Sequence, residues 1–343
     1  LPGLPALPNL PGLPNGSIGA PPASKAELNK SFRKLVKSMA KNNPGRLGIA
    51  LTPGGSEQTI SFGSLKTARA WSTLKVPVSI AAQRVNGRTV LGDEDKAIKV
   101  SDNDAAEALW ASIGGGRASV DAVTAVLREG HDRGTHVASQ EDGPSSYPGY
   151  TAWSLANQSV FAAHLPCVAD SAEVLDFMGH VAANQQWGVA KPNKRGVSSA
   201  VKGGWGPVSD GTGKYVVRQL AVIKTARGNI GVSLAAQPAS GSFADGAAMV
   251  TKLGQWVLRN VDKLAAGDCI PVNLAGAQPE VAQPEAAQPE AEPAPEVKPE
   301  PEAAPEAAPE TATQAAAELA PNVRPAPTTQ VQPEPAVQVA PAH

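Results

Sequence analysis

The chain has 343 residues, with 30 Lys or Arg against 31 Asp or Glu, so its formal net charge at pH 7 is −1. This length allows one large domain or two ordinary ones, and no stretch is apolar enough to span a membrane. Residues 1–22 carry a proline every few positions, which excludes helix and central strand and predicts an extended, polyproline-like arm.

The other end of the chain is also unlike a folded domain. Residues 271–343 consist mostly of Pro, Ala, Glu and Gln, and they contain no Trp, Tyr or Phe. So few apolar side chains cannot offset the conformational entropy of ordering, which predicts a disordered tail. We therefore expect a single folded domain over residues 23–270, between the arm and the tail.

The net charge conceals an uneven distribution. The tail holds eleven Glu against two basic residues, which leaves 28 basic and 20 acidic residues in the rest of the chain. A basic domain suits an anionic surface or polymer, or nucleic acid, although an ordinary excess of surface Lys and Arg gives the same count. No RNP pattern, Cys/His finger or Arg-rich recognition helix supports a nucleic-acid partner.

Cysteine usage and the first residue are compatible with an exported protein. The chain begins at Leu1 rather than Met, as it would after removal of a signal peptide or at an arbitrary boundary. The two cysteines are Cys167 and Cys269, an even and low number. Pairing would close a loop of about 102 residues and contribute roughly 4–5 kcal/mol. Two buried free thiols are the alternative. We expect a secreted or cell-envelope location.

Between the arm and the tail, the hydrophobic period changes from helical to strand-like and back. A capping box, Ser24 with Glu27, begins the first helix, and Gly267 follows the last one. The predicted elements are, in chain order, a helix from residue 25, strands at 46–51 and 57–63, a short helix from 72, two helices within 93–113 that meet near Ser101, helices at 119–130, 153–165 and 171–186, strands at 214–224 and 229–238, and a helix at 244–265.

This order predicts an α+β fold. The strands are split between the two ends of the domain, and the first and last helices flank them. One antiparallel sheet satisfies this arrangement, with the terminal helices on one face and the helical block on the other.

The pattern S-x-x-K occurs four times, so by itself it proves nothing. Two of the hits lie on the polar side of the first helix, and a third, Ser199 with Lys202, precedes the later strands. The remaining hit, Ser72 with Lys75, stands at the start of the helix that follows the second strand. Positions i and i+3 share a helix face, so the Ser72 hydroxyl and the Lys75 amine are expected to meet. A helix cap and a solvated lysine are the alternative.

Two further motifs follow in order. Ser101, Asp102 and Asn103 form the sequence S-D-N, and Lys202 begins the sequence K-G-G ahead of the last strand pair. Ser72 and Lys75, these two motifs and the layout of strands and helices resemble the penicillin-recognising serine hydrolases, which are the serine β-lactamases and D-alanyl-D-alanine peptidases. The resemblance covers about residues 25–266. Taken singly, S-D-N would be a helix-capping run and K-G-G a loop before a strand.

The resemblance implies a role for each matched residue. Ser72 would be the nucleophile, Lys75 its base, Ser101 the proton relay to the leaving nitrogen, and Asn103 the group that holds the substrate amide. The resemblance also implies a substrate-binding role for Lys202, Gly203, Gly204 and Trp205. Lys202 would recognise a carboxylate, and the Trp205 N–H would form the oxyanion hole together with that of Ser72. No cofactor and no metal are expected, because no His or Cys spacing suggests a metal site.

Three departures from that family bear on activity. Gly203 stands where a Thr or Ser hydroxyl is usual, and only 29 residues separate the first two motifs. No E-x-x-L-N deacylating loop occurs before Lys202, and Glu141 lies in a comparable region with different surroundings. Two hypotheses therefore stay open. One is an exported serine hydrolase acting on a cell-wall peptide or β-lactam amide. The other is an inactive relative that binds an envelope polymer.

Overall fold

The computed structural model describes residues 21–271. The arm up to residue 20 and the tail from residue 272 lie outside the described residues, so the predictions made for them stay predictions. Among the described residues, no helix is both long and apolar enough to cross a membrane.

A five-stranded antiparallel sheet forms the centre of the described region. The strands stand in the order β2-β1-β7-β6-β5, and every neighbouring pair is antiparallel. The predicted hairpin at the start and the predicted strand pair at the end therefore join one sheet, as expected. The strands are β1 (Gly45–Pro53), β2 (Ile60–Gly63), β5 (Ser198–Ser209), β6 (Thr212–Thr225) and β7 (Gly228–Pro238).

The two terminal helices cover one face of this sheet. These are α1 (Lys25–Met39) and α8 (Phe243–Arg259). The predicted capping box begins α1, with the Ser24 hydroxyl and the Glu27 carboxylate each bonded to the other's backbone N–H. Phe32 contacts Trp256 of α8 edge to face, with the ring centroids 5.5 Å apart. Buried aromatic pairs of this kind fix the helix against the sheet.

The opposite face carries the helical block. Its core joins apolar residues of these helices to Leu220 and Val222 of β6. The predicted interruption near Ser101 is confirmed, because one helix ends at Lys99 and the next begins at Asn103. The helices are α2 (Lys75–Asn86), α3 (Leu91–Lys99), α4 (Asn103–Ser112), α5 (Gly116–Glu129), α6 (Leu155–His164) and α7 (Ala172–Gly179).

The predicted helix at 171–186 was too long. Helix α7 ends at Gly179, and a separate 3₁₀ turn follows at Ala183–Gln185. The reason is packing: Met178 belongs to the core under the helical block, whereas Val181 belongs to the core under the terminal helices. A continuous helix could not supply both cores, so the chain leaves the helix to pass from one face to the other.

A small two-stranded ribbon was not predicted from the sequence. It pairs β3 (Thr67–Arg69) with β4 (Ala152–Ser154). Each strand is only three residues long, which is too short for an alternating pattern to be recognised. The ribbon ties the segment just before Ser72 to the segment that enters α6.

Cys167 and Cys269 form a disulfide, so the pairing alternative is correct. Their Cα atoms are 6.0 Å apart, within the usual range for a disulfide. The bridge joins the 3₁₀ turn after α6 to the segment that follows α8.

A buried carboxyl group in the helical block predicts a pH-dependent stability. Glu94 of α3 is fully buried, and neither of its carboxylate oxygens has a hydrogen-bond partner within residues 21–271. Burial, and then the charge of Glu173, raise the pKa of Glu94 to about 7. A raised carboxyl pKa means that the folded state holds the proton more tightly, so the stabilisation is complete below pH ~4.5 and is lost as the pH rises through about 7.

We therefore expect the free energy of unfolding to fall by about 2–3 kcal/mol between pH 5 and pH 8. Urea unfolding at both pH values measures this change. Glu94→Gln should remove most of the pH dependence and be the more stable protein at pH 8. Glu141→Gln, at an exposed position, is the control that should keep it. An unchanged pH dependence in Glu94→Gln would contradict the assignment.

Candidate active site

The turn that carries Ser72 is a 3₁₀ turn, Trp71–Leu74, which continues directly into α2. In 3₁₀ geometry side chains at i and i+3 are eclipsed, so Ser72 and Lys75 lie on the same side. The expected hydrogen bond between them is nevertheless not formed, and within residues 21–271 the Ser72 hydroxyl has no hydrogen-bond partner. Ser72 is 5% exposed, and part of this exposed surface belongs to its hydroxyl oxygen. The hydroxyl is thus recessed and still in contact with solvent.

The residue before Ser72 has an unusual backbone conformation. Trp71 has φ +48°, a left-handed value that costs a non-glycine residue about 1–3 kcal/mol. Its ring lies against Gly206 of β5, where any Cβ would overlap it, and makes an edge contact with Tyr150 at 5.7 Å. This burial of the indole holds the strained residue in place. Ser101 has φ +61°, so of the four non-glycine residues with positive φ in the described region, one belongs to the predicted site and another, Trp71, directly precedes Ser72.

Lys75 points toward the S-D-N segment. Its Nζ donates to the Ser101 carbonyl at 2.6 Å, to the Asp102 carbonyl at 2.9 Å and to Asn103 Oδ1 at 2.9 Å. The Asp102 carboxylate meanwhile caps α4 by accepting from the Ala105 N–H. The first two motifs, which the sequence separates by 29 residues, are therefore joined by the amine of the predicted base.

The third motif meets the other two at one hydroxyl group. Lys202 Nζ donates to Ser101 Oγ at 2.9 Å and to the Gly203 carbonyl at 3.0 Å. Ser101 Oγ is also 3.4 Å from Lys75 Nζ. The Ser101 hydroxyl thus bridges two lysine amines that are 127 residues apart in the sequence.

Burial destabilises a positive charge on both amines. Burial lowers the pKa of Lys75 to about 7, while the Asp102 and Glu107 carboxylates act in the opposite direction. Burial, and then the charge of Lys75, hold the pKa of Lys202 well below its ordinary value. Lys202 is completely buried, whereas Lys75 is 8% exposed. Because the pKa of Lys75 is about 7, much of its amine is neutral near neutral pH. A neutral amine can accept a proton, as a general base for Ser72 must.

The K-G-G motif lies on β5, so the alternative that it is a loop before a strand is wrong. A Cβ on Gly204 would be 2.8 Å from the Ala70 carbonyl oxygen and 3.1 Å from the Ser72 backbone nitrogen. Glycine therefore allows this outer strand to touch the Ser72 turn. A Cβ on Gly203 would be 2.6 Å from the Trp187 ring, so the space where a Thr or Ser side chain would begin is already filled.

Lys202 and the Trp205 ring, both at positions that the resemblance assigns to substrate binding, have other contacts in the structure. The Lys202 ammonium group is enclosed and bonded to Ser101, so direct binding of a substrate carboxylate would require it to be uncovered. The Trp205 ring contacts Phe243 at the start of α8, with the centroids 5.1 Å apart, and so lies on the terminal-helix face. The ring is therefore on the opposite face of β5 from the side where Gly204 touches the Ser72 turn, while the Trp205 backbone remains on that strand.

A buried polar network supports this turn from below, and the sequence reading missed it. Arg218 of β6 is fully buried, and its guanidinium donates to the Ala68 carbonyl at 2.7 Å and to Gln158 Oε1 at 2.9 Å. Gln158 Nε2 in turn donates to Thr73 Oγ1 at 3.0 Å. Burial lowers the pKa of Arg218 to about 9. The sequence signal for this network is a single Arg, Arg218, within a largely apolar strand.

Glu141 does not reach the site. It lies exposed in a 3₁₀ turn at Gln140–Asp142, and a Cβ on Gly116 at the start of α5 would be 3.3 Å from its Oε1. Within residues 21–271, the hydrogen bonds of Lys75 and Ser101 include no side-chain carboxylate.

Comparison with solved structures identifies the fold. A double mutant of the chromosome-encoded β-lactamase of Vibrio parahaemolyticus aligns with a TM-score of 0.53 at 15% identity, over 68% of this chain and 99% of that one. A β-lactamase from Xanthomonas campestris pv. campestris aligns at 0.53 and 18%, over 68% and 98%. An ancestral class A β-lactamase aligns at 0.51 and 20%, over 68% and 99%.

No protein-family model matches the chain, and no curated protein matches it. The three structural likenesses show that the chain has a serine β-lactamase-like fold, and identities of 15–20% make its sequence a divergent one. The predicted α+β architecture is confirmed.

Proposed function

We propose that the protein is an exported serine hydrolase that is acylated at Ser72 and acts on a cell-wall peptide or a β-lactam amide. The observation that carries the proposal is the Ser101 hydroxyl, which bridges Lys75 and Lys202 beside the Ser72 turn. Three separate motifs converge there, and two of the participating segments have strained backbone. Strain of this kind persists where function requires it.

The proposed reaction begins with transfer of the Ser72 proton to neutral Lys75. Ser72 Oγ then forms a bond to the substrate carbonyl carbon, and the backbone N–H groups of Ser72 and Trp205 stabilise the oxyanion. The carbon–nitrogen bond breaks as the proton passes from Lys75 through Ser101 Oγ to the leaving nitrogen. Asn103 accepts from Lys75 through Oδ1, which leaves its Nδ2 to donate to the substrate amide. Water later hydrolyses the acyl ester.

Slow deacylation follows from the same site. A general base within hydrogen-bond reach is needed to activate the water, and the described contacts of the site provide no carboxylate for this step. We therefore favour a peptidase-like or slow enzyme over rapid β-lactam turnover.

A second candidate function is a binding module for an envelope polymer on the same fold. It is favoured by the absence of a hydrogen bond from Ser72 to Lys75 within residues 21–271, and by the Trp187 ring beneath Gly203. Binding of this kind would not need a reactive Ser72.

Covalent labelling separates the two candidates. The purified full chain is incubated with a fluorescent penicillin and, separately, with a fluorophosphonate, and the intact protein is weighed by mass spectrometry. We expect one adduct per chain, which Ser72→Ala abolishes. Ser38→Ala removes the serine of another S-x-x-K sequence, on the exposed side of α1, and should keep the adduct. No adduct with either probe would refute the hydrolase and favour the binding module.

A further inference from the structure

Helix α1 carries a row of positive charges that the Ser72 chemistry does not use. Lys30, Arg33, Lys34 and Lys37 follow the spacing i, i+3, i+4 and i+7, which places them on one face of a helix. Lys41 continues this spacing just beyond the end of the helix. All five are exposed, and we call them the basic row.

The basic row is held in a fixed orientation. The opposite face of α1 buries Leu28, Phe32 and Met39 in the core against the sheet and α8. The helix therefore cannot rotate to hide its charges. From Lys30 to Lys41 the row is about 16 Å long, with a cation on average roughly every 4 Å along the axis.

These cations have no anionic partner in the described region. None of the five forms an ion pair or a side-chain hydrogen bond within residues 21–271. The one acidic residue of α1, Glu27, is used by the capping box at the first turn. Five neighbouring like charges repel one another, so an external anion that bridges them is favoured.

We propose that the basic row is a binding site for a linear polyanion, a polymer that carries phosphate groups along an extended backbone. A polymer can contact several of the cations at once and release the counterions of each contact. A single small anion can meet only one or two of them. The site is independent of the proposed hydrolase activity.

The same observations disfavour a membrane as the partner. An interfacial helix needs an apolar face to insert between lipids, as well as a basic one. The apolar face of α1 is buried in the core. Val36, with 36% of its surface exposed, is the one large apolar residue of the helix that is exposed rather than buried or half-buried. Lysines predominate in the row, and they bind phosphate as point charges without reading a base sequence.

The test uses the full chain and fluorescently labelled inorganic polyphosphate, with binding followed by anisotropy over a range of salt concentrations. The row variant is Lys30→Gln, Lys34→Gln and Lys37→Gln. Its control, Lys66→Gln, Lys191→Gln and Lys224→Gln, removes the same charge from exposed lysines that form no ion pair in the described region. We expect the row variant to bind about tenfold or more weakly, with the log–log salt slope reduced by roughly 2–3. The control should remain within about twofold of the parent.

Several outcomes would overturn the proposal. Equal losses in the two triple variants would mean that net charge, not the row, attracts the polymer. Competition by orthophosphate at an equal phosphate concentration would mean a small-anion site. Binding to phosphatidylglycerol vesicles with no binding to polyphosphate would mean a membrane surface. A single-stranded oligonucleotide that binds through the same row would support the polyanion site and identify nucleic acid as a possible source of its phosphates.

Discussion

Lys75→Met is expected to slow acylation of Ser72 by about 10²–10⁴-fold, the usual contribution of a general base. Lys75 directly follows the Ser72 turn, and its amine bonds to Ser101 and Asn103 of the S-D-N segment. Methionine keeps most of the side-chain volume and cannot accept a proton. Rates are measured from adduct formation with the fluorophosphonate by stopped-time mass spectrometry.

The pH profile distinguishes the loss of a base from a distorted site. Burial lowers the pKa of Lys75 to about 7, and only the neutral amine accepts a proton. The parent rate should therefore rise about tenfold per pH unit below this pKa and level off above it. The residual rate of Lys75→Met should lack that inflection. Lys224→Met, at an exposed position, is the matched control and should keep the parent profile. A parent rate that is flat from pH 6 to pH 8 would contradict Lys75 as the base.

Arg218→Met is expected to lower the free energy of unfolding by about 2–4 kcal/mol. The substitution removes the donors to the Ala68 and Trp153 carbonyls and to Gln158, all of which stay buried. Buried acceptors that lose their donors carry a desolvation cost, and relief from burying the guanidinium charge offsets part of it. Urea unfolding followed by tryptophan fluorescence measures the change.

Arg227→Met is the matched control for this substitution. Arg227 also donates to two backbone carbonyls, those of Leu264 and Val261, but it is exposed, so water can replace it. Its loss should cost less than about 1 kcal/mol. Equal losses in the two variants would show that the Arg218 network is not a special support of the Ser72 turn.

The parts of the fold that were predictable are those governed by local chemistry. The Ser24 capping box fixed the start of α1, and the period of apolar residues located the hairpin, the helix pair around Ser101 and the last helix. The family resemblance that the three motifs carry predicted which residues would converge. The structure brings Lys75, Ser101, Asn103 and Lys202 together as that resemblance implied.

The missed features depend on contacts between distant segments. Nothing near Gly203 in the sequence indicates that the Trp187 ring fills the space beneath it, and nothing near Arg218 indicates its carbonyl partners. The β3–β4 ribbon joins segments about 85 residues apart, so its pairing has no local signal. The direction of Lys75, toward Ser101 rather than Ser72, is likewise decided by tertiary packing.

The close contact between Gly204 and the Ser72 turn shows which side of the outer strand the nucleophile segment covers. Strand β5 is one of the two outer strands of the sheet, and the edge of an uncovered outer strand invites pairing with a second molecule. The turn that carries Ser72 lies against this strand at Gly204, and the Trp71 ring lies against it at Gly206. Both contacts are made in the direction of a glycine Cβ, so the segment that presents the nucleophile covers a face of β5 and not its hydrogen-bonding edge. Substitutions that enlarge these two glycines would therefore displace the nucleophile and disturb reactivity, while the hydrogen-bonding edge of β5 stays as it is.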